Sequence, residues 1–204
     1  MGCTAYSEGE TRSMKNKHLH IVFCGIDGSG KSTWAKIVSD EFRRLGEPVS
    51  YIHGHTYAIS ANSFGLTGER MNTLAKWFKV FWPLALCDNL YTFLTRYRPV
   101  LRSSHLITDR YFYDKLVRLR FYGIIPEKFF SFYMRLLPKP DYVFFLDVDP
   151  KIAYKRKADF RIEEYKMLSN LYRNMATLLD SPVINTSYSI ISCQKKIFHY
   201  IWSR

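Results

Sequence analysis

With 204 residues and 47 % hydrophobic composition, the chain can bury one sizeable core, and no repeat, low-complexity tract or linker-like run divides it. Thirty Lys and Arg against eighteen Asp and Glu give a formal charge of +12, which leaves an anionic substrate, a nucleic acid or a membrane surface open as partner. Cys3, Cys24, Cys87 and Cys193 lie far apart without a CxxC pair, which argues against disulfides and a zinc site and for reduced thiols.

Residues 1–16 read as a flexible polar tail, and residues 17–204 as a single domain. Met1-Gly2 opens like a myristoylation signal, but Tyr6 stands where that motif needs Ser or Thr. No secretory signal is visible, and the most apolar run, 77–87, holds Lys79 and Pro83 and is too short for a bilayer. A cytoplasmic chain is the expectation.

Leu19–Cys24 is a short apolar run rich in β-formers, as a buried parallel strand should be. A glycine-rich loop follows, and then Trp34, Ala35, Val38, Phe42 and Leu45 recur at helical spacing until Gly46 and Pro48 give a stop. Further strands are predicted at Val49–His53, Leu106–Thr108, Tyr142–Asp147 and Val183–Asn185. Helix-length segments lie at 71–97, 127–137 and, with a break, 151–179. Strand and helix alternate throughout, which predicts an α/β fold with a parallel sheet covered on both faces. Ligands in such sheets bind beyond the carboxyl ends of the strands, so chemistry is sought just after each one.

After the first strand stands Gly25-Ile26-Asp27-Gly28-Ser29-Gly30-Lys31-Ser32-Thr33, with the spacing of a phosphate-binding loop. Bare glycine backbone lets amide N–H groups turn inward on phosphate oxygens, and the helix start adds its unpaired amides and dipole. Lys31 would reach the β- and γ-phosphates of a nucleoside triphosphate, and the Ser32 hydroxyl would ligate Mg2+. A plain glycine turn is the alternative, but the fixed positions and both flanks fit the loop. His53-Gly54-His55-Thr56 follows the second strand, and Asp109-Arg110-Tyr111 the third. "LDVDP" (146–150) ends the fourth, before Lys155-Arg156-Lys157 and Arg161.

These stretches together resemble the thymidylate kinase family of P-loop phosphotransferases: "GIDGSGKST" at 25–33, "DRY" at 109–111, "LDVDP" at 146–150 with basic residues beyond, and Arg98-Pro99 ending a long helix. The resemblance spans about residues 17–200. It implies a three-layer α/β/α P-loop NTPase fold with a five-stranded parallel sheet and a short lid. It also implies transfer of the ATP γ-phosphate onto a nucleoside monophosphate, with ATP and Mg2+ required. By the same resemblance Asp109 joins Ser32 at the metal, and Arg110 clamps the acceptor's phosphate. Asp27 lies near the acceptor's sugar hydroxyl, Asp88 and Tyr111 belong to the acceptor side, and Arg156, Lys157 or Arg161 closes over the phosphates. Each role has a plainer counterpart: a surface ion pair for Asp109-Arg110, a solvated helix face for the lid cations, and loop-amide capping for Asp27.

On the acceptor side the sequence departs from the family pattern. Ile52-His53-Gly54-His55-Thr56 replaces an Arg-Glu-Pro-Gly-Gly-like stretch, Asp88-Asn89 replaces a helical Asp-Arg pair, and "FYDKLVRLRFYG" (112–123) replaces a glutamine-bearing base-recognition stretch. His53 and His55 either take over a phosphate contact or are ordinary loop histidines. Phosphoryl transfer is therefore the expectation, and another nucleotide, a nucleoside or a non-nucleotide metabolite stays open as acceptor. Residues 70–135 carry twelve Lys and Arg against four Asp and Glu, interleaved with aromatics. A non-enzymatic protein using this surface on nucleic acid or membrane is the rival reading. Helical spacing instead favours aromatics packed inward or in a homodimer interface, with cations facing water or an anionic substrate.

Overall fold

The computed structural model describes residues 17–54, 86–123 and 125–203. The predicted tail, His55, Thr56 and the first part of the predicted helix 71–97 lie outside these residues.

Five strands form one all-parallel sheet in the order β2-β3-β1-β4-β5: β1 (His20–Gly25), β2 (Val49–His53), β3 (His105–Asp109), β4 (Tyr142–Asp147) and β5 (Val183–Asn185). β1 is central, and all six of its residues are buried. Because side chains alternate along a strand, it feeds two cores. Ile21 and Phe23 pack with Ile107, Phe144 and Leu146 against α1 (Lys31–Arg44) and α7 (Ile190–Trp202). Val22 and Cys24 pack with Leu106, Val143 and Phe145 on the opposite face. That face is covered by α3 (Phe112–Phe121), α4 (Glu127–Leu136) and α6 (Ile162–Leu178). The predicted α/β/α layering is present.

α1 buries Trp34, Ala35, Val38 and Phe42 along one stripe and ends where the glycine signal placed the stop. Gly46 adopts φ 78°, its N–H donates to Arg43 O and the Glu47 N–H to Phe42 O, both at 3.0 Å, closing the last carbonyls as a Schellman turn. The break predicted within 151–179 is real: α5 (Pro150–Arg156) and α6 are separate helices. Asp149 caps α5 by accepting from the Lys151 N–H at 2.8 Å, and Pro150 occupies its first turn.

One boundary differs. The helix expected to end at Arg98-Pro99 continues to Leu101. Residues 86–92 are helical, Phe93–Tyr97 forms a π-helical turn, and α2 (Arg98–Leu101) completes it. Proline in a helix lacks an N–H and crowds the carbonyl four residues back, here that of Thr95. The wider π turn absorbs that crowding, so Pro99 is accommodated rather than terminating the helix. Cys24 and Cys193 are buried free thiols and Cys87 is an exposed one. Among the described residues no helix is long and apolar enough to cross a membrane.

Candidate active site

The carboxyl ends of β1, β2 and β3 converge on the glycine loop. Gly30 holds φ 91° at the N-cap of α1, a left-handed conformation that favours glycine. The next residue, Lys31, is buried, and its Nζ donates to Gly25 O and Ile26 O, both at 2.8 Å. Burial, and then the nearby Arg110 charge, lower its pKa. Its hydrogen bonds go to two neutral carbonyls and its paired carboxylate, Asp27, stands off at 3.7 Å, so this ammonium is poised for an anion entering the loop. Ser29 Oγ, also buried in the loop, has no hydrogen-bond partner among the described residues.

Asp109 ends β3 fully buried. Its Oδ2 accepts from Ser32 Oγ on α1 and from Tyr51 OH at 3.3 Å, and His53 Nδ1 lies 3.1 Å away. Tyr51 and His53 are two apart on β2 and so share a face, and register pairs His53 directly with Asp109. Asp109 Oδ1 is buried without a hydrogen-bond partner among the described residues.

Asp27 forms the other cluster. Its Oδ1 accepts from Arg110 Nη2 and lies 3.7 Å from Lys31 Nζ, while Oδ2 accepts from Arg118 Nη2 at 2.8 Å. Burial alone would raise the Asp27 pKa, but the charges of Arg110, Lys31 and Arg118 outweigh it and hold the carboxyl below the usual range. Arg110 itself adopts φ 74°, unusual for a side-chain-bearing residue. Its N–H donates to Phe23 O at 3.0 Å, and its carbonyl lies so close to Gly54 that a Cβ there would sit 2.2 Å from the oxygen. Asp114, the third residue of α3, accepts from the Tyr111 N–H at 2.9 Å and from Tyr172 OH of α6 at 2.8 Å. That carboxylate fixes the helix that carries Arg118.

A cavity of about 480 Å³ opens over the loop, bounded by Arg110, Arg156 and Lys157 on one side and by Thr186, Tyr188 and Ile190 beyond β5 on the other. Arg156 Nη1 donates to Gly28 O at 3.0 Å, so this lid cation reaches the loop. Arg161 does not: its side chain is 83 % exposed, pairs with Glu164 at 3.6 Å and caps α6. Nor does Tyr111, which is buried between Tyr97 and Phe112 and donates through its hydroxyl to Pro138 O at 2.7 Å. Asp88 accepts from Lys115 Nζ at 3.2 Å. A larger hollow of about 610 Å³ near Lys139, Asp180 and Tyr200 touches none of these groups.

Sequence reasoning missed Tyr51, Gly54, Arg118 and the Thr186–Ile190 wall. Tyr51 was findable, since it shares its strand face with His53. Arg118 needed the path of α3, and Gly54 needed the packing of two loops.

A phosphate loop with a buried lysine, a serine on a strand-end carboxylate and a cluster of arginines beside it define a P-loop phosphotransferase. The comparisons narrow the class. The family profile described as thymidylate kinase matches residues 23–199. A probable thymidylate kinase of Methanococcus vannielii is 29 % identical over 167 residues, covering 78 % of each chain. A thymidylate kinase of Leptospira interrogans is 30 % identical over 148 residues, 70 % of this chain and 71 % of that one. The crystal structure of thymidylate kinase from Ehrlichia chaffeensis superposes with a TM-score of 0.64 at 16 % identity, covering 91 % of this chain and 99 % of that one, and shares its fold. The chain belongs to the thymidylate kinase family and is an ATP-dependent nucleotide kinase.

Proposed function

We propose that the chain moves the γ-phosphate of ATP onto the phosphate of a nucleoside monophosphate, with Lys31 on the donor and Arg110 on the acceptor. The observation that carries this reading is Asp27: one carboxylate lies 3.7 Å from Lys31 and accepts from Arg110. A donor-side and an acceptor-side cation thus flank one point, as an in-line transfer between two phosphates requires.

Loop amides and Lys31 hold the triphosphate tail, and Lys31 exchanges its two carbonyl partners for phosphate oxygens. The cavity wall at Thr186, Tyr188 and Ile190 gives the donor's base a place beyond β5. Arg156 lies over the loop at Gly28 and neutralises charge while excluding water, which favours transfer over hydrolysis. The residues present fit Mg2+: the Ser32 hydroxyl meets Asp109 Oδ2, and Asp109 Oδ1 is buried without a hydrogen-bond partner among the described residues. Ser32 and Asp109 would hold the ion, which supplies charge neutralisation at the triphosphate. Tyr51 and His53 orient the same carboxylate.

The acceptor's base is a separate matter, because His53, Asn89 and α3 all differ from the family pattern. ADP release measured with dTMP, other nucleoside monophosphates and the matching nucleosides tests the reading. Monophosphates are expected to support turnover at least tenfold better than their nucleosides. ADP release that ignores the acceptor, or prefers nucleosides, overturns it.

A further inference from the structure

α3 carries two cations, Lys115 and Arg118, three apart and so on one helix face. Lys115 is engaged with the preceding helix, donating to Asp88 Oδ2 at 3.2 Å and Asn89 Oδ1 at 3.3 Å. Arg118, one turn on, reaches Asp27 Oδ2 at 2.8 Å, and its guanidinium carbon lies 5.8 Å from the Phe160 ring centre in the α5–α6 connection. Its side chain remains 34 % exposed.

Asp27 thus pairs with three cations, Lys31, Arg110 and Arg118. Asp109 and Asp114 act on Lys31 and Arg110 through their wider field, but the three cations share Asp27 as their paired carboxylate, an arrangement in which an incoming anion gives the guanidinium groups a second partner. Arg110 takes one oxygen of the carboxylate and Arg118 the other. Two guanidinium groups spaced to grip both oxygens of one carboxylate are also spaced for two oxygens of one phosphate.

We propose that Arg118 is a second acceptor-binding arginine, which exchanges Asp27 for the acceptor's phosphate and holds it together with Arg110. This rests on the nucleotide-kinase reading above. The acceptor site thereby draws its second arginine from α3, beside a preceding helix that offers the neutral Asn89. Asp27 serves as a resident counter-ion that keeps both forks in place before the acceptor arrives. The ligand class this selects is a phosphate monoester carrying two negative charges.

The test compares wild type, Arg118→Gln, Arg118→Lys and Arg110→Ala, with dTMP and a panel of other nucleoside monophosphates as probes. In Arg118→Gln the acceptor KM rises about 10–100-fold while kcat changes less and the ATP Kd stays within about twofold. Arg118→Lys restores part of the loss. In binding titrations without ATP, Arg118→Gln weakens the preferred monophosphate and leaves the matching nucleoside unchanged, a charge-specific split that a purely structural role does not produce. If Arg110→Ala raises the acceptor KM but Arg118→Gln leaves it at the wild-type value, the inference fails and the kinase reading stands. Equal weakening of nucleoside and nucleotide also overturns it, assigning Arg118 to Asp27 alone. Absence of turnover with every monophosphate overturns the kinase reading and the inference with it.

Discussion

Arg110 concentrates the chemistry of this site in one residue whose backbone carries a cost. A non-glycine residue at φ 74° is strained by about 1 kcal/mol or more, and here the strain is held by its N–H bond to Phe23 O and by Gly54 packed on its carbonyl. The conformation delivers the guanidinium to Asp27. Arg110→Ala should therefore leave the ATP Kd nearly unchanged while lowering acceptor kcat/KM by about 2–4 kcal/mol, the scale of losing a desolvated, charge-assisted contact. Arg110→Lys should recover only part, since an ammonium lacks the fork. ATP titrations and acceptor kinetics on both variants check this, and collapse of ATP binding with intact acceptor kinetics would put Arg110 on the donor side. At this scale the sequence was informative wherever chemistry demands a fixed spacing. Lys31, Ser32, Asp109, Arg110 and Asp27 all stand at the loop and strand ends that motif reading indicated. It was uninformative where position depends on tertiary path: Tyr111 and Arg161 point away from the cavity, and Arg118 arrives from a helix whose start is set by the buried Asp114 cap.

Elements were legible in proportion to their periodicity. All five strands and α1, α4 and the α5–α6 pair fall within a few residues of their expected limits, because β-branched runs, amphipathic stripes and caps act locally. Two helices were less visible. α3 begins on aromatic residues and is fixed by Asp114, which looks like an ordinary polar residue until Tyr172 is brought to it. α7 is capped by Ser189 inside a polar stretch without a strong stripe before it. Pro99 misled in the other direction, since a π turn lets the helix pass through it. The contact between the β2 and β3 ends is the element-level feature that bears most on activity. A Cβ at Gly54 would lie 2.2 Å from Arg110 O, a backbone atom that has to move. Gly54→Ala should cost about 1–3 kcal/mol in overpacking and displace Arg110, reducing acceptor kcat/KM at least tenfold. Wild-type kinetics together with an unchanged melting temperature in this variant would show that the two loops do not press on each other.

Across the whole molecule, the two cores on either face of the sheet place every functional group at one end and leave a different kind of polar residue inside. His20, the first residue of β1, is buried between the rings of Tyr97 and Tyr111; its Nε2 lies 3.3 Å from Thr108 Oγ1, and Nδ1 has no hydrogen-bond partner among the described residues. Burial lowers its pKa to about 3, against a partial opposing pull from Asp141. The ring is thus neutral in the fold, whereas the unfolded chain takes up a proton below about pH 6.5. Stability should fall as pH drops from 6.5 towards 3, by about 2 kcal/mol at pH 5 from this residue. Denaturant unfolding of wild type and His20→Leu at pH 7 and pH 5 reads the effect directly: the variant loses less stability on acidification, and an equal loss in both would assign the acid sensitivity elsewhere. The charge excess that left nucleic acid and membrane open as partners has a local counterpart at the loop, where Lys31, Arg110 and Arg118 pair with Asp27 and Arg156 and Lys157 line the cavity. The most direct test of that assignment is the fate of the phosphate. Products of ATP and the preferred nucleoside monophosphate, followed by phosphorus NMR, should be ADP and the nucleoside diphosphate in equal amounts, and Lys31→Ala should form both at least a hundredfold more slowly. ADP accompanied by inorganic phosphate, with the monophosphate untouched, would contradict the account.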